Sequence, residues 1–246
     1  MTKEKWSLNR TQIKYIAITS MLIDHTAAFF LTPDKHPALT VLYIIMRTVG
    51  RIAAPVMFYF LVEGYIHTSS RMKYIIRLLS FAIFSQVPYS LVRYREMSWD
   101  NLNVMFTLFM SFVMMVIVDK VENKVLRGIV VFTIMFLSVF SDWGVMGPFM
   151  VWLFYIYHED RKKQLISYIS LSIAQILMSI FMMISGALVW YESIWQIGMI
   201  LPVILIYPYN GEAGRKNIIN KWSFYLFYPL HFVFLWLVMH NNESLL

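Results

Sequence analysis

Long apolar runs separated by short polar connections make up most of the chain. The predominantly apolar segments cover residues 13–31, 41–63, 73–92, 103–119, 127–140, 144–157, 165–184, 188–207 and 222–239. A helix that crosses a bilayer needs about 20 predominantly apolar residues. The pattern therefore predicts an all-α integral membrane protein. We expect a polytopic bundle of about nine transmembrane helices that forms a single domain over residues 1–246.

The composition leaves no space for a soluble domain beside these helices. Apolar residues make up 59% of the 246 residues and charged residues 14%, which is far from the composition of a soluble globular chain. The first ten residues show no cleavable signal pattern, so we expect the first helix to be retained. The chain contains no cysteine, which excludes thiolate chemistry and disulfides, and it carries no nucleotide-binding glycine motif. Any active site must be built from the helices and their short loops.

Lys and Arg are unevenly distributed over the connections between the apolar segments. With the N-terminus placed inside, sixteen of the 21 Lys and Arg residues fall in inner segments, and Lys35, Arg93 and Arg95 fall in outer ones. Short cytoplasmic loops carry such an excess of positive charge. The asymmetry predicts a cytoplasmic N-terminus and an extracytoplasmic C-terminus. It also accounts for the net charge of +7, so we expect the lipid bilayer as a partner and no nucleic acid.

Asp24 and His25 lie in the middle of the first apolar segment. A charge at the centre of a membrane helix costs about 2.5–3.5 kcal/mol on insertion scales, so such residues usually face a protein interior and have a function there. At about 1.5 Å of rise per residue, Asp24 is about 16 Å from the inner end of its helix. Arg51 and His231 reach a similar depth in the second and last segments. We therefore predict a cluster of these four residues near the middle of the membrane.

Each of these deep residues also has a purely structural interpretation. Asp24 and Arg51 could form an ion pair with no further role, because buried charges are normally paired. His25 could be a core histidine bonded to a backbone carbonyl. Successive helix residues are about 100° apart, so Asp24 and His25 do not share a face. Arg47 and Arg51 do share one, although Arg47 could also extend to the membrane surface.

Seven blocks distributed over nearly the whole chain carry a family resemblance. They are KYIAITSMLIDHTAAFF (Lys14 to Phe30), GRIAAPVMFYFLVEGYIHT (Gly50 to Thr68), YIIRLLSFAIFSQVPYSL (Tyr74 to Leu91), NVMFTL (Asn103 to Leu108), DWGVMGP (Asp142 to Pro148), YNGEAG (Tyr209 to Gly214) and KWSFYLFYPLHF (Lys221 to Phe232). In their order and spacing they resemble the TraX family, which is named for the conjugal-transfer protein linked to N-acetylation of F-type pilin.

The resemblance implies a membrane-embedded acyltransferase in a bacterial cytoplasmic membrane. Such an enzyme takes an acyl group, an acetyl group in this family, from cytosolic acetyl-CoA. It transfers the group to an amine or hydroxyl of a pilin, another peptide or a glycan, and no metal is implied. The residues that the resemblance and their depth single out as catalytic candidates are Asp24, His25, Arg51 and His231. The donor-binding candidates are Glu63, Arg71, Lys73 and Arg77, and the further polar candidates are Gln86, Asn103, Asp142 and Tyr228.

The expected chemistry needs a base, an oxyanion partner and a site for phosphates. An imidazole titrates near neutral pH and can accept the proton that an attacking amine or hydroxyl loses, so we expect His25 to be a general base or a transient acyl carrier. Arg51 can stabilise the oxyanion on the thioester carbonyl. The inner loop with Arg71, Lys73 and Arg77 can receive the phosphates of CoA, although membrane anchoring explains these residues equally well.

Two other classes of function compete with the acyltransferase. A transporter or channel would use Asp24, His25 and Arg51 as a proton relay or substrate site, but the sequence has no internal repeat of the kind common in secondary transporters. A non-catalytic scaffold of a secretion or conjugation apparatus gives no reason for deep charges. Binding of acetyl-CoA distinguishes the acyltransferase from both.

Overall fold

The computed structural model describes residues 7–215 and 218–241, with the side chains of 218–221 excepted. Within these residues the chain is helical apart from turns and two isolated bridges, so the all-α prediction is confirmed. The helices are α1 (Arg10–Phe30), α2 (Thr40–Gly50), α3 (Ala53–His67), α4 (Arg71–Tyr94), α5 (Val104–Val118), α6 (Lys124–Leu137), α7 (Met146–Ile156), α8 (Arg161–Ile184), α9 (Trp190–Ile194), α10 (Pro202–Ile206) and α11 (Ile218–Asn241). Short 3₁₀ segments occupy Pro37–Leu39, Ser138–Phe140 and Trp195–Ile200.

Four helical stretches are long and apolar enough to cross a membrane. They are Pro37–His67, Arg71–Tyr94, Arg161–Ile184 and Trp222–Asn241. Shorter apolar helices cover Val104–Val118, Met146–Ile156 and Trp190–Ile206. Each of the nine predicted apolar segments contains helix in the part of the chain that the structure describes. The protein is therefore a helical membrane protein, and the count of nine spans with their orientation stays a prediction.

Two of the predicted spans are interrupted rather than continuous. The second forms α2 and α3 with a break at Arg51, and the eighth forms α9, the 3₁₀ segment and α10. A proline stands four residues after each break, Pro55 after Arg51 and Pro202 after Gly198. Proline cannot donate a hydrogen bond to the carbonyl four residues earlier, and its ring clashes with that carbonyl. Both prolines therefore favour the start of a new helix.

Proline alone does not decide where these helices break, because α4 continues through Pro88 and α11 through Pro229. At the two breaks a glycine adds to the effect. Gly50 is the last residue of α2, and Gly198 lies within the 3₁₀ segment. Glycine has a low helix propensity, so its presence beside a proline weakens the helix further.

The contacts of the chain divide it into two compact units. Unit 1 comprises the described residues up to Met57 together with Ile169–Phe227, and unit 2 comprises Phe58–Tyr168 with the described residues from Tyr228 onward. In unit 1, α1 packs along α2, and α2 also contacts α9 and the 3₁₀ segment Trp195–Ile200. In unit 2, α5 packs against α4, α6 and α7. That residues 1–246 form one domain stays a prediction.

The loop with the sequence YNGEAG is attached to the start of α1 in unit 1. Leu8 donates its N–H to the Pro208 carbonyl at 2.9 Å, and its own carbonyl accepts from the Asn210 N–H at 3.0 Å. The Thr11 hydroxyl donates to the Ala213 carbonyl at 2.9 Å. The loop therefore fixes the beginning of the helix that carries Asp24.

Replacing Gly198 by alanine is expected to destabilise the protein. A Cβ at this position would lie 2.1 Å from the Thr48 carbonyl oxygen and 3.0 Å from the Arg51 Cβ. Because a backbone atom must move, we expect a loss of about 1–3 kcal/mol. Thermal unfolding of the purified variant in detergent measures this as a lower Tm.

Gly128→Ala is the matched control for that change. Gly128 lies in α6, where an added Cβ would meet nothing within 4 Å. Alanine is favoured over glycine within a helix by about 1 kcal/mol. We therefore expect an unchanged or slightly higher Tm for this variant. Equal Tm values for the two variants would contradict the close contact between Gly198 and α2.

Candidate functional site

The centre of unit 1 holds a buried carboxylate that is shared by two arginines. Asp24, whose side chain is 9% exposed, accepts from the Arg47 Nη1 at 2.7 Å and from the Arg51 Nη2 at 3.2 Å. The two arginine side chains are 14% and 13% exposed. The structure therefore brings Asp24 and Arg51 together in the protein interior. It also adds Arg47, for which the sequence left extension to the membrane surface open.

Gly50 makes the approach of α1 to α2 close enough for this ion pair. A Cβ on Gly50 would lie 2.1 Å from the Asp24 Oδ1 and 2.3 Å from its Cβ. Any side chain at this position would therefore displace the carboxylate. Gly50 lies directly before Arg51, at the end of α2, so the same short stretch supplies both the space for the carboxylate and one of its partners.

Trp195 provides an aromatic surface for both guanidinium groups. The Cζ atoms of Arg47 and Arg51 lie 4.6 Å and 4.4 Å from the centre of its ring, within the range of cation–π attraction. Trp195 itself is 7% exposed and packs with Ala27 and Tyr43 in a small core. Asp24, Arg47, Arg51 and Trp195 are called the Asp24 cluster below. The sequence analysis missed Trp195, because a tryptophan in an apolar segment carries no signal of its own.

His25 follows Asp24 on α1 but takes a different face. Asp24 is buried, whereas His25 is half-buried and has the Phe29 ring at 6.1 Å. This agrees with the expected angular separation of adjacent helix residues. The imidazole therefore stands next to the Asp24 cluster along the helix, in a more accessible position.

His231 belongs to unit 2, where it lies among aromatic rings of α11. It is 4% exposed, and the rings of Tyr228 and Phe232 lie 5.5 Å and 4.1 Å from its own. The Tyr228 hydroxyl accepts from the Val104 N–H at 3.3 Å. Asp24, His25 and Arg51 belong to unit 1, so the four-residue midplane cluster stays a prediction.

Gln86 and Asn103 form a buried amide pair in unit 2. The Gln86 Oε1 accepts from both nitrogens of Asn103, at 3.0 Å from the backbone and 2.9 Å from the side chain. The Gln86 Nε2 donates to the carbonyls of Ser98 and Asn101, both at 3.0 Å. The Asn103 Oδ1 caps α5 by accepting from the Met105 N–H at 2.9 Å. Every polar atom of the two amides is therefore used to hold the connection between α4 and α5.

Asp142 lies in a tightly packed loop of unit 2. Its backbone N–H donates to the Leu102 carbonyl at 2.7 Å, and its carbonyl accepts from the Thr107 hydroxyl. Trp143 has a φ of +68°, a conformation that residues other than glycine rarely adopt. A Cβ on Gly147 would lie 2.4 Å from the Thr107 Cγ2. These contacts explain the DWGVMGP block as a packing motif around Thr107.

Arg71, a donor-binding candidate, is held by a carboxylate that the sequence analysis did not single out. Its Nη2 lies 2.9 Å from the Asp119 Oδ2, and its Cζ lies 4.4 Å from the Tyr65 ring. Asp119 also accepts from the hydroxyls of Tyr65 and Tyr155. It ends an apolar segment directly before Lys120, so it looked like an ordinary surface charge. The guanidinium of Arg71 is thus fixed in place and partly neutralised.

The other donor-binding candidates lie near the adjoining ends of α3 and α4 in unit 2. Glu63 has His67 one turn away, with 3.8 Å between the nearest side-chain oxygen and nitrogen. Lys73 is exposed in the first turn of α4, and the Arg77 Cζ lies 4.5 Å from the Tyr74 ring. Of the three basic candidates, Arg71 and Lys73 are therefore exposed, and Arg71 is paired with Asp119. In the described residues no group of His, Asp or Glu side chains has the arrangement of a metal site.

Comparison with known proteins identifies the family. The sequence model of the family described as TraX protein matches residues 9–239. The chain belongs to the TraX family. The matched range includes all of the candidate site residues. The TraX resemblance inferred from the seven blocks is therefore confirmed.

A curated relative covers nearly the same length. The chain is 30% identical over 235 residues to the probable fimbrial assembly protein FimC, serogroup H1, of Dichelobacter nodosus. The match covers 91% of this chain and 93% of the relative. No solved structure matches the chain.

Asp24→Asn is expected to destabilise this TraX-family protein strongly. The substitution keeps the size of the side chain and removes the negative charge that two buried guanidiniums share. Removing one partner of a buried ion pair typically costs about 3–5 kcal/mol. We expect a clear fall in Tm and in the yield of folded protein in detergent.

Asp160→Asn is the matched control for the buried carboxylate. The Asp160 side chain is 43% exposed and pairs with Lys163 near the start of α8. Exposed pairs contribute about 0–1 kcal/mol, so its Tm should stay close to that of the wild type. A Tm for Asp24→Asn as high as that of Asp160→Asn would show that the Asp24 cluster does not stabilise unit 1.

Proposed function

We propose that this protein is a membrane-embedded acyltransferase. It moves an acetyl group from cytosolic acetyl-CoA to an amine or hydroxyl of a pilin, another peptide or a glycan at the membrane. The observation that carries the proposal is the Asp24 cluster, with His25 beside it on α1. Ionised groups at such depth are costly and usually functional. The description of a relative as a probable fimbrial assembly protein favours a subunit of a surface fibre as acceptor.

The proposed topology places the donor and the acceptor on opposite sides of a bacterial cytoplasmic membrane. It has nine spans, a cytoplasmic N-terminus and an extracytoplasmic C-terminus, as the distribution of Lys and Arg favours. In this arrangement Arg71, Lys73 and Arg77 face the cytosol, where acetyl-CoA is present. The exposed ammonium of Lys73 and the guanidiniums of its neighbours then attract the phosphates of CoA.

The proposed reaction follows the ordinary course of acyl transfer. The nitrogen or oxygen of the acceptor forms a bond to the thioester carbonyl carbon, while the His25 imidazole takes the proton that the acceptor loses. The carbonyl oxygen becomes negative, and a guanidinium of the Asp24 cluster stabilises it. The bond to sulfur then breaks. The CoA thiolate leaves with the electron pair and receives the proton from the imidazolium.

The competing function is a transporter that uses Asp24, His25 and Arg51 as a proton relay. The same buried charges favour it, because pumps and transporters place such groups at depth. It does not require acetyl-CoA. Binding of acetyl-CoA and release of CoA therefore decide between the two functions, and solute flux that needs no acetyl-CoA would favour the transporter.

His25→Ala is expected to abolish transfer while leaving the protein folded. Loss of a general base usually lowers the rate by about 10²–10⁴-fold. Binding of acetyl-CoA, measured by calorimetry in nanodiscs against free CoA, should be retained. Because the chain contains no cysteine, a thiol reagent reports the released CoA without a background signal from the protein. The acceptor for this assay is the purified pilin subunit of the host strain.

His240→Ala is the control for the loss of an imidazole. His240 is exposed at the end of α11, and its ring is stacked on the Trp236 ring with 5.2 Å between the ring centres. The substitution should leave the transfer rate unchanged. Wild-type rates in His25→Ala would remove His25 as the base. If folded wild-type protein does not bind acetyl-CoA, the acyltransferase proposal is wrong. Measurements of solute flux would then test the transporter.

A further inference from the structure

Two buried hydrogen-bond donors in the Asp24 cluster have no acceptor within the part of the chain that the structure describes. The indole Nε1 of Trp195 and the Nε of Arg47 are both inaccessible to solvent, and neither meets a hydrogen-bond partner among the described residues. Buried polar atoms are almost always paired, so such donors require an explanation. An oxygen atom of a bound ligand would satisfy both.

The charges of the cluster favour the same kind of ligand. Arg47 and Arg51 both approach Asp24, and one carboxylate neutralises only one of two guanidiniums. Apart from this carboxylate, the side chains of the cluster are donors: two guanidiniums and an indole N–H. The donors of the cluster are thus suited to an oxygen that carries or develops negative charge.

Both breaks in the predicted spans lie at this cluster. Arg51 follows the end of α2, and Trp195 opens the 3₁₀ segment between α9 and α10. Gly198, in the same segment, touches Thr48 and Arg51. At membrane depth irregular backbone is tolerated where protein covers it or where it lines a cavity. The fold therefore departs from regular helix at the place where the unpaired donors lie.

We propose that Trp195 and Arg47 are the donors of an oxyanion site for the acyl carbonyl of the donor thioester. The inference rests on the proposed acyltransferase function and assigns it two catalytic residues. When the acceptor adds to the carbonyl carbon, the carbonyl oxygen takes the electron pair and becomes negative, and the Trp195 N–H and the Arg47 Nε–H donate to it. When the bond to sulfur breaks, the pair returns to form the carbonyl of the product. Asp24 holds the Arg47 guanidinium against the indole ring.

Trp195→Phe tests the indole donor separately from the aromatic surface. Phenylalanine retains a ring for the two guanidiniums and removes the N–H. We expect kcat for CoA release to fall about 100-fold, as for other oxyanion donors, with the KM for acetyl-CoA within about twofold and the Tm nearly unchanged. Trp190→Phe, at the exposed start of α9, should keep the wild-type kcat.

Arg47→Lys provides a second test that does not depend on the tryptophan. Lysine keeps the positive charge for Asp24 but has no planar Nε–H donor. We expect a fall in kcat of similar size, with little change in the KM for acetyl-CoA. This variant decides the question if Trp195→Phe does not fold.

The outcomes separate the oxyanion site from the proposed function. Wild-type release of CoA with an unchanged kcat in a folded Trp195→Phe or Arg47→Lys variant overturns the site and leaves the acyltransferase standing. A rise in KM without a fall in kcat also overturns it, because the two residues would then contribute ground-state binding. If wild-type protein neither binds acetyl-CoA nor releases CoA, both the oxyanion site and the acyltransferase function are wrong.

Discussion

The packing of unit 1 depends on one shared carboxylate. Asp24 offers two oxygens to two guanidiniums in a region with little water, where an unpaired charge would be very costly. The rest of the arrangement keeps these groups within reach of one another. Gly50 has no side chain at the point where α2 comes closest to Asp24. Trp195, from the later of the two chain segments that form unit 1, provides the ring on which both guanidiniums lie.

The Gln86–Asn103 pair of unit 2 and the Asp24 cluster of unit 1 use their buried polar groups differently. In unit 2, the amides of Gln86 and Asn103 use all their polar atoms to hold the chain itself. In unit 1, the Asp24 cluster keeps donors whose capacity the described chain does not use. A fully satisfied network serves stability, whereas an incompletely satisfied one at depth is typical of a binding site. This difference supports the proposal that the chemistry lies with Asp24 and His25.

The sequence predicted the helical membrane class from its apolar segments and the family from its seven blocks. It offered the pairing of Asp24 with Arg51 as one interpretation, because the depth of a charge follows from its position in an apolar run. It did not predict the contribution of Trp195. Stacking depends on which helices are neighbours, and periodicity does not contain that information. The break near Gly198 could have been predicted from the sequence, because a glycine four residues before a proline weakens a helix. Asp119 resembled a surface charge, and only its tyrosine partners reveal that it ties several helices together.

Unit 1 is built from the beginning of the chain and from a late part of it, and this sets the order in which its centre is completed during synthesis. Asp24, Arg47 and Arg51 lie on the first two helices, so the ion pair can form within an early hairpin. Trp195 follows Arg51 by more than one hundred residues, which a ribosome adds in roughly 7–30 s at about 5–20 residues per second. Arg47 and Arg51 are therefore synthesised well before the tryptophan ring on which their guanidiniums lie. The nascent chain must therefore hold these three charges together without the tryptophan ring while those residues are added.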